Sequence, residues 1–216
     1  MGIKKGMFIV IDGIDGSGKS EILKQLHNYL FSKHKKHTLL TTREPTNGIY
    51  GSKIRKILRN EKDPKINGKK LMGLFIMDRQ AHLKNVIAPF LNSSNKHELH
   101  IALCDRYYYS TIAFQGAQGL DMHEIISKNK KFRKPDIAFI LDVKPSIALE
   151  RISCREKEKF EQLEFMKKIR KNFLELPELL EDNIKVIDSS KPLKEVFECI
   201  RKEADRILSL SFQSPL

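Results

Sequence analysis

A doubly wound α/β fold, with a five-stranded parallel sheet and helices on both faces, is predicted by three features of this 216-residue sequence. Five short, almost wholly apolar runs stand along the chain, helical periodicity fills the spaces between them, and the two patterns alternate to the end. Strands covered on both faces read as continuous apolar runs. Regular alternation with helices is the pattern of a parallel sheet joined by crossover helices.

The strands are expected at 7–12 (MFIVID), 38–42 (TLLTT), 100–105 (HIALCD), 136–142 (DIAFILD) and 184–188 (IKVID). Behind the first, Ile22, Leu23, Leu26, Tyr29 and Leu30 fall on one face of a helix. Residues 69–91 carry a seam of Met72, Ile76, Leu83, Ile87 and Leu91. Another helix is expected from Tyr107, and others at 145–153, 157–176 and 192–210, where Pro145 and Pro192 suit a first helical turn. Neither a repeat nor a long linker interrupts the chain, so residues 1–216 are expected to form one domain. Ligands of such sheets bind beyond the carboxyl ends of the strands. The residues after 12, 42, 105, 142 and 188 are therefore the ones to watch.

The chain carries 40 basic and 27 acidic residues, a net charge of +13, which favours anionic partners. The basic residues are scattered and no RNA- or DNA-binding signature accompanies them, so nucleic acid is not the expected partner. Cys104, Cys154 and Cys199 lack metal-binding spacing and imply a reducing compartment. With no signal-peptide or membrane-spanning pattern, the expectation is a cytoplasmic protein without a membrane partner.

The stretch GIDGSGKS at 13–20 matches GxxxxGK[ST] and stands between a strand and a helix. Gly13, Ile14, Asp15, Gly16, Ser17, Gly18, Lys19 and Ser20 are thus candidates to hold a nucleoside triphosphate, as in a P-loop NTPase-type sheet. The glycines let backbone N–H groups turn inward around phosphate. Lys19 is expected to bridge the β- and γ-phosphates of ATP, and Ser20 to offer its hydroxyl to Mg²⁺.

Four elements follow in order: GIDGSGKS, TREPT at 42–46, DRYYYSTIAFQGAQG at 105–119 and DSSKPLKEV at 188–196. In this order they resemble the thymidylate kinase family of nucleoside monophosphate kinases, from Phe8 to about Ile200. The resemblance implies ATP- and Mg²⁺-dependent transfer of phosphate to dTMP, giving dTDP, by a homodimer. Related acceptors (dUMP, UMP, CMP or a nucleoside) and a non-enzymatic, nucleic-acid-binding P-loop protein are the alternatives.

Arg106, at a strand end beside the phosphate loop, can hold the acceptor's monophosphate against the γ-phosphate. Asp105 can position Mg²⁺-bound water or orient Arg106. The resemblance brings Arg43 near the acceptor phosphate and Asp15 to the sugar 3′-hydroxyl. Thr46 and Asn47 stand where the family often has two glycines. Phe75 and Arg79 are i, i+4 neighbours that can stack on a pyrimidine and donate to its O4, as the family's base-binding pair does. The family also places Ser110, Thr111, Phe114 and Gln115 around base and sugar. Phe114 stands where many members have tyrosine, which weakens selection for deoxyribose.

A short helical lid is expected at 145–162, with Arg151 and Arg155 one above the other on a helix. Some family members carry an arginine in the phosphate loop at the position of Gly16. Since Gly16 supplies no charge, the resemblance implies a lid cation, Arg155 before Arg151 or Lys157.

Overall fold

The computed structural model describes the backbone of residues 6–60, 66–94, 98–152 and 156–212, with the side chains of these outside 156–162 and 210–212. Five strands form one parallel sheet: β1 (Met7–Gly13), β2 (His37–Arg43), β3 (Leu99–Asp105), β4 (Ile137–Asp142) and β5 (Ile184–Asp188). Their order is β2-β3-β1-β4-β5. β1 is central and all seven of its residues are buried, as a strand covered on both faces requires.

Successive residues of the sheet serve opposite faces. Met7, Ile9 and Ile11 of β1 pack with Leu103 of β3 and Phe139 of β4 against Ile22, Leu26 and Leu30 of α1 (Lys19–Lys33). Val196, Ile200 and Ala204 of the last helix complete that layer. Phe8 and Val10 face the other way, with Cys104 and Ile140, toward residues such as Met72, Ile112 and Phe173.

The seven helices between them are α2 (Ile49–Asn60), α3 (Gly68–His82), α4 (Ala88–Asn92), α5 (Tyr108–Ala117), α6 (Met122–Asn129), α7 (Pro145–Arg151) and α8 (Glu156–Leu179); the last helix is α9 (Leu193–Phe212). A π-helical turn, Leu83–Ile87, joins α3 to α4. The sequence reading missed α2 and α6. α2 buries only Gly51 and Ile54, yet Tyr50, Ile54, Ile57 and Leu58 fall at i, i+4, i+7, i+8, an apolar stripe that was there to be read.

The expected lid, 145–162, is described only in part. α7 ends at Arg151, where the N–H of Ile152 turns back to the Leu149 carbonyl at 3.3 Å, and α8 starts at Glu156. Arg155 itself, Cys154, and the side chain of Lys157 lie outside the described residues.

Candidate active site

The carboxyl ends of β1, β3 and β2 lie side by side, with Ile11 paired to Asp105 and Asp105 paired to Arg43. This register brings the phosphate loop, the Asp105–Arg106 pair and the Arg43–Glu44 segment to one edge. A backbone bond from Glu44 N–H to the Asp105 carbonyl (3.0 Å) extends the β2–β3 pairing one step past the sheet.

The loop between β1 and α1 takes its path from three glycines with positive φ: Gly13 (140°), Gly16 (77°) and Gly18 (93°). At Gly16 a Cβ would stand 2.3 Å from the Ala148 carbonyl oxygen, so α7 is packed directly against the loop. Gly18 opens α1 with no side chain capping the helix. The free N–H groups of a first turn, with the positive end of the helix dipole, suit an anion.

Lys19 is buried and donates to the Ile14 carbonyl at 2.7 Å. Burial, with the Arg106 charge nearby, lowers its ammonium from 10.5 to about 8, against the pull of Asp15, Asp105 and Asp12. Two cations drawn this close form a natural seat for phosphate. Ile14 and Ser17 are buried, whereas Asp15 and Ser20 are exposed.

Arg106 holds a left-handed backbone, φ 69°, a conformation rarely adopted by residues with a Cβ and concentrated at functional sites. Its N–H donates to the Ile11 carbonyl at 3.0 Å. The guanidinium is fixed by Ser110 Oγ (2.8 Å), the Gly13 carbonyl (3.3 Å) and Asp15 Oδ1 (2.6 Å), and lies over the Phe114 ring at 5.3 Å. Against the effect of burial, Arg106 and Lys19 hold the Asp15 carboxyl below its ordinary value.

The hydrogen bonds that hold Arg106 thus come from Gly13, Ser110 and Asp15, not from Asp105. Asp105 Oδ1 is buried and has no hydrogen-bond partner. Burial raises its carboxyl above the ordinary value, against Lys19 and Arg106. Among the described residues no group of three or more His, Cys, Asp or Glu is placed to hold a metal. A divalent cation beside Asp105 and Ser20 would take its other ligands from phosphate and water, as Mg²⁺ commonly does.

On the other side of Arg106 a buried polar network begins at Arg79, which has 0% exposure. Its Nε donates to Glu44 Oε2 (2.9 Å), Nη1 to Asn129 Oδ1 (2.6 Å) and Nη2 to Thr111 Oγ1 (3.0 Å). Tyr107, Tyr108 and Phe132 rings surround the guanidinium at 5.1, 5.9 and 5.7 Å. Glu44 also meets His82 Nδ1 at 3.2 Å, and His82 Nε2 lies 2.7 Å from Thr42 Oγ1.

Phe75, four residues before Arg79, is half-buried; Arg43 is exposed at the tip of β2. Gln115 is buried, its amide N–H donating to Gln118 at 3.1 Å while its Oε1 accepts nothing. The Ser110 hydroxyl is engaged on both sides, accepting from Arg106 and donating to Asp12 Oδ1 at 2.7 Å. Phe114 meets Phe173 of α8 edge-on, ring centroids 6.3 Å apart.

The TREPT loop is pinned to α3. Thr46 donates its N–H and hydroxyl to the two oxygens of buried Asp78, at 2.7 and 2.6 Å. Thr46 thereby supplies an anchor that a glycine lacks. At Gly51 any Cβ would overlap the Thr46 carbonyl, 1.9 Å away, so α2 starts tight against the loop. Arg151 reaches from α7 to the Gly16 carbonyl (3.3 Å) and the Ser189 carbonyl (3.1 Å), joining the loop to the end of β5.

Sequence reasoning missed Asp12, Glu44, Asp78, His82 and Asn129. An acid at the end of a wholly buried strand was a usable signal for Asp12, since a buried carboxylate needs partners. Asn129 offered none, lying in the basic run KNKKFRK.

Residues 11–200 match the family model described as thymidylate kinase. A thymidylate kinase of Leptospira borgpetersenii is 39% identical over 204 residues, covering 93% of this chain and 94% of that protein. One of Caldicellulosiruptor saccharolyticus is 36% identical over 213 residues, covering 94% and 98%. An Archaeoglobus fulgidus protein named "Probable thymidylate kinase" is 36% identical over 210 residues, covering 96% and 100%. With the phosphate loop, the Asp105–Arg106 strand end and the TREPT loop gathered at one sheet edge, these matches establish that the chain belongs to the thymidylate kinase family.

Proposed function

We propose that the chain carries out its family's reaction, phosphoryl transfer from ATP to dTMP, with the following division of labour. The loop 13–20 and the N-terminus of α1 hold the donor's phosphates, and Lys19 meets the β- and γ-phosphates. Arg106 holds the dTMP phosphate facing them. An oxygen of that phosphate attacks the γ-phosphorus, the bond to the β-phosphate bridging oxygen breaks, and ADP leaves as dTDP forms. Such a transfer asks for alignment and charge rather than covalent chemistry.

The observation that supports this reading is the strained Arg106 held 2.6 Å from Asp15, a guanidinium beside the phosphate loop that suits an acceptor phosphate. Mg²⁺ belongs to the reading: the unpartnered Asp105 Oδ1 and the Ser20 hydroxyl fit it, and when bound it neutralises charge on the β- and γ-phosphates.

For the base, half-buried Phe75 is the accessible contact, and Arg79, Thr111 and Gln115, all buried, are the polar groups that would line its site. The unpaired, buried Gln115 Oε1 suits the N3–H of a thymine or uracil and disfavours cytosine, whose N3 is an acceptor. Phe114 offers the sugar an apolar ring, and Arg43 lies beyond Arg106 for the phosphate. Either Arg155 or Arg151 supplies a further cation from a lid at 145–162.

A homodimer and a cytoplasmic setting complete the reading. Leu58 of α2, with Met77 and Val86 of α3 and its continuation, leaves apolar side chains exposed for a second copy. Cys104 and Cys199 are free thiols, and no helix among the described residues is long and apolar enough to cross a membrane.

The test is ADP release with ATP, Mg²⁺ and a panel of dTMP, dUMP, UMP, dCMP and thymidine. Stimulation greatest with dTMP is expected. No stimulation by any monophosphate overturns the reading, and a response to thymidine alone reassigns it to a nucleoside kinase.

A further inference from the structure

We infer that Asp12 is a positioning residue for the transfer, one that fixes the phosphate loop and Arg106 relative to each other; this rests on Arg106 as the acceptor clamp. Asp12 has 0% exposure and stands near the end of the central strand. Its carboxylate accepts four hydrogen bonds. Oδ1 takes the Gly13 N–H at 2.8 Å and the Ser110 hydroxyl at 2.7 Å. Oδ2 takes the N–H groups of Tyr107 and Ser110, both at 3.0 Å.

Where those bonds go is the point. Gly13 opens the donor loop, and residues 107–110 follow directly on Arg106. One side chain thus ties both halves of the site, 95 to 98 residues apart in sequence. The link continues to the guanidinium: the Ser110 hydroxyl that donates to Asp12 accepts from Arg106 Nη1, which itself lies 3.8 Å from Asp12 Oδ1.

Asp12 also helps maintain the unusual backbone. Left-handed Arg106 is held on its N-terminal side by its own N–H to the Ile11 carbonyl, and on its C-terminal side by Tyr107 N–H to Asp12. Without the second bond, relaxation of φ swings the guanidinium away from Asp15. A carboxylate is the group required, because all four partners donate. Asparagine would set an N–H donor against two of them.

The experiment is a double-mutant cycle on the full chain, with steady-state kinetics for ATP and dTMP. Asp12→Asn is expected to lower kcat about 30-fold, within the loss that a misplacement near 1 Å causes. In the Arg106→Ala background the same change is expected to cost less than about 3-fold, because the group being positioned is gone. Ser110→Ala keeps the Ser110 N–H on Asp12 and removes only the hydroxyl link. It should show the same pattern at about 10-fold, and it decides the matter by itself if Asp12→Asn does not fold. A merely structural role moves melting temperature but gives equal factors in both backgrounds, which overturns the inference. So does normal kcat in both variants while Arg106→Ala is impaired. Normal turnover by Arg106→Ala overturns the clamp reading first, and the inference with it.

Discussion

The Cβ that Gly16 lacks would lie 2.3 Å from the carbonyl oxygen of Ala148. Real Cβ atoms do not approach backbone oxygen so closely, and the φ of 77° at Gly16 disfavours any side chain independently. Gly16→Ala is therefore expected to cost about 1–3 kcal/mol of stability, the scale of backbone strain at such positions. It should also raise the KM for ATP as α7 is pushed off the loop. Thermal unfolding and ATP titration check this, and unchanged values would mean that α7 yields freely. Gly16→Arg is expected to lower activity, since no cation can be placed there without moving α7.

Removing the clamp gives the largest kinetic effect. Arg106→Ala is expected to reduce kcat/KM by at least ~100-fold, the usual loss of one preorganised electrostatic contact in the transition state. Near-normal turnover would reject Arg106 as the group that holds the acceptor phosphate.

Asp15 lies on the donor loop but its partner lies on the acceptor side. Its carboxylate receives Arg106 Nη2 at 2.6 Å, whereas the donor phosphates require N–H groups and Lys19. Asp15→Ala is expected to raise the KM for dTMP several-fold more than that for ATP. Equal changes in both constants would remove Asp15 from acceptor recognition.

Lys19 gives the free protein a pH signature. Its ammonium is lowered to about 8, first by burial and then by Arg106, so it loses its proton as pH rises through that value. Since phosphate binding needs the charged form, kcat/KM for ATP is expected to fall above about pH 8. The limb should move to higher pH in Arg106→Ala, where the repelling charge is absent. For stability the sign is opposite. Between about 8 and 10.5 the unfolded chain binds the proton and the folded chain does not. Stability from this group therefore rises over that window, the strain below it being relieved as the folded form deprotonates. A fixed limb in both proteins would disprove the assignment.

Glu44 and Arg79 form a buried pair, with side-chain exposures of 2% and 1%. Removing one partner strands the other charge without solvent, which typically costs about 3–5 kcal/mol. Glu44→Gln is expected to lower the melting temperature by about 10 °C, at 2–4 °C per kcal/mol for a chain this size. The base-reading surface should loosen with it, raising the KM for dTMP. A shift below about 2 °C would show that the cation finds another partner.

The fold was most legible in the sequence at β1, β3 and β4, where burial is two-sided; the edge strands β2 and β5 are mostly half-buried to exposed. Each of the five apolar runs is a strand, shifted by a residue or so at the ends. The seam Met72, Ile76, Leu83, Ile87 and Leu91 is a helical face, with Met72, Ile87 and Leu91 buried and the other two partly so. The phosphate loop was legible because its spacing is itself the geometry. Less legible were groups whose meaning depends on distant contacts; α2 was overlooked although Tyr50, Ile54, Ile57 and Leu58 mark its apolar face. Asp12 looks like a strand end until Tyr107 and Ser110 arrive from 95 and 98 residues away. Arg79 has the right spacing to Phe75 for a base contact, yet nothing local reveals that Glu44 and Asn129 surround it. The helix expected at 145–153 ends at Arg151, where the backbone turns at Ile152.

The π-helical turn Leu83–Ile87 sits between two halves of one long helical run that answer to different neighbours. Upstream, Asp78, Arg79 and His82 are tied to Thr46 and Glu44 of the TREPT loop, beside the proposed base contact Phe75. Downstream, Ile87 and Leu91 are sealed in the core, and the Leu91 carbonyl receives the Gly6 N–H at 2.9 Å. A wider turn takes up an extra residue without breaking the helix. If the same residues ran as regular α-helix, one half would be rotated against the other by about 100°. Either the TREPT loop would lose its ties, or the core would lose two of its aliphatic side chains. The turn is thus the phase adjustment that lets one helical run keep time with both the TREPT loop and the sheet.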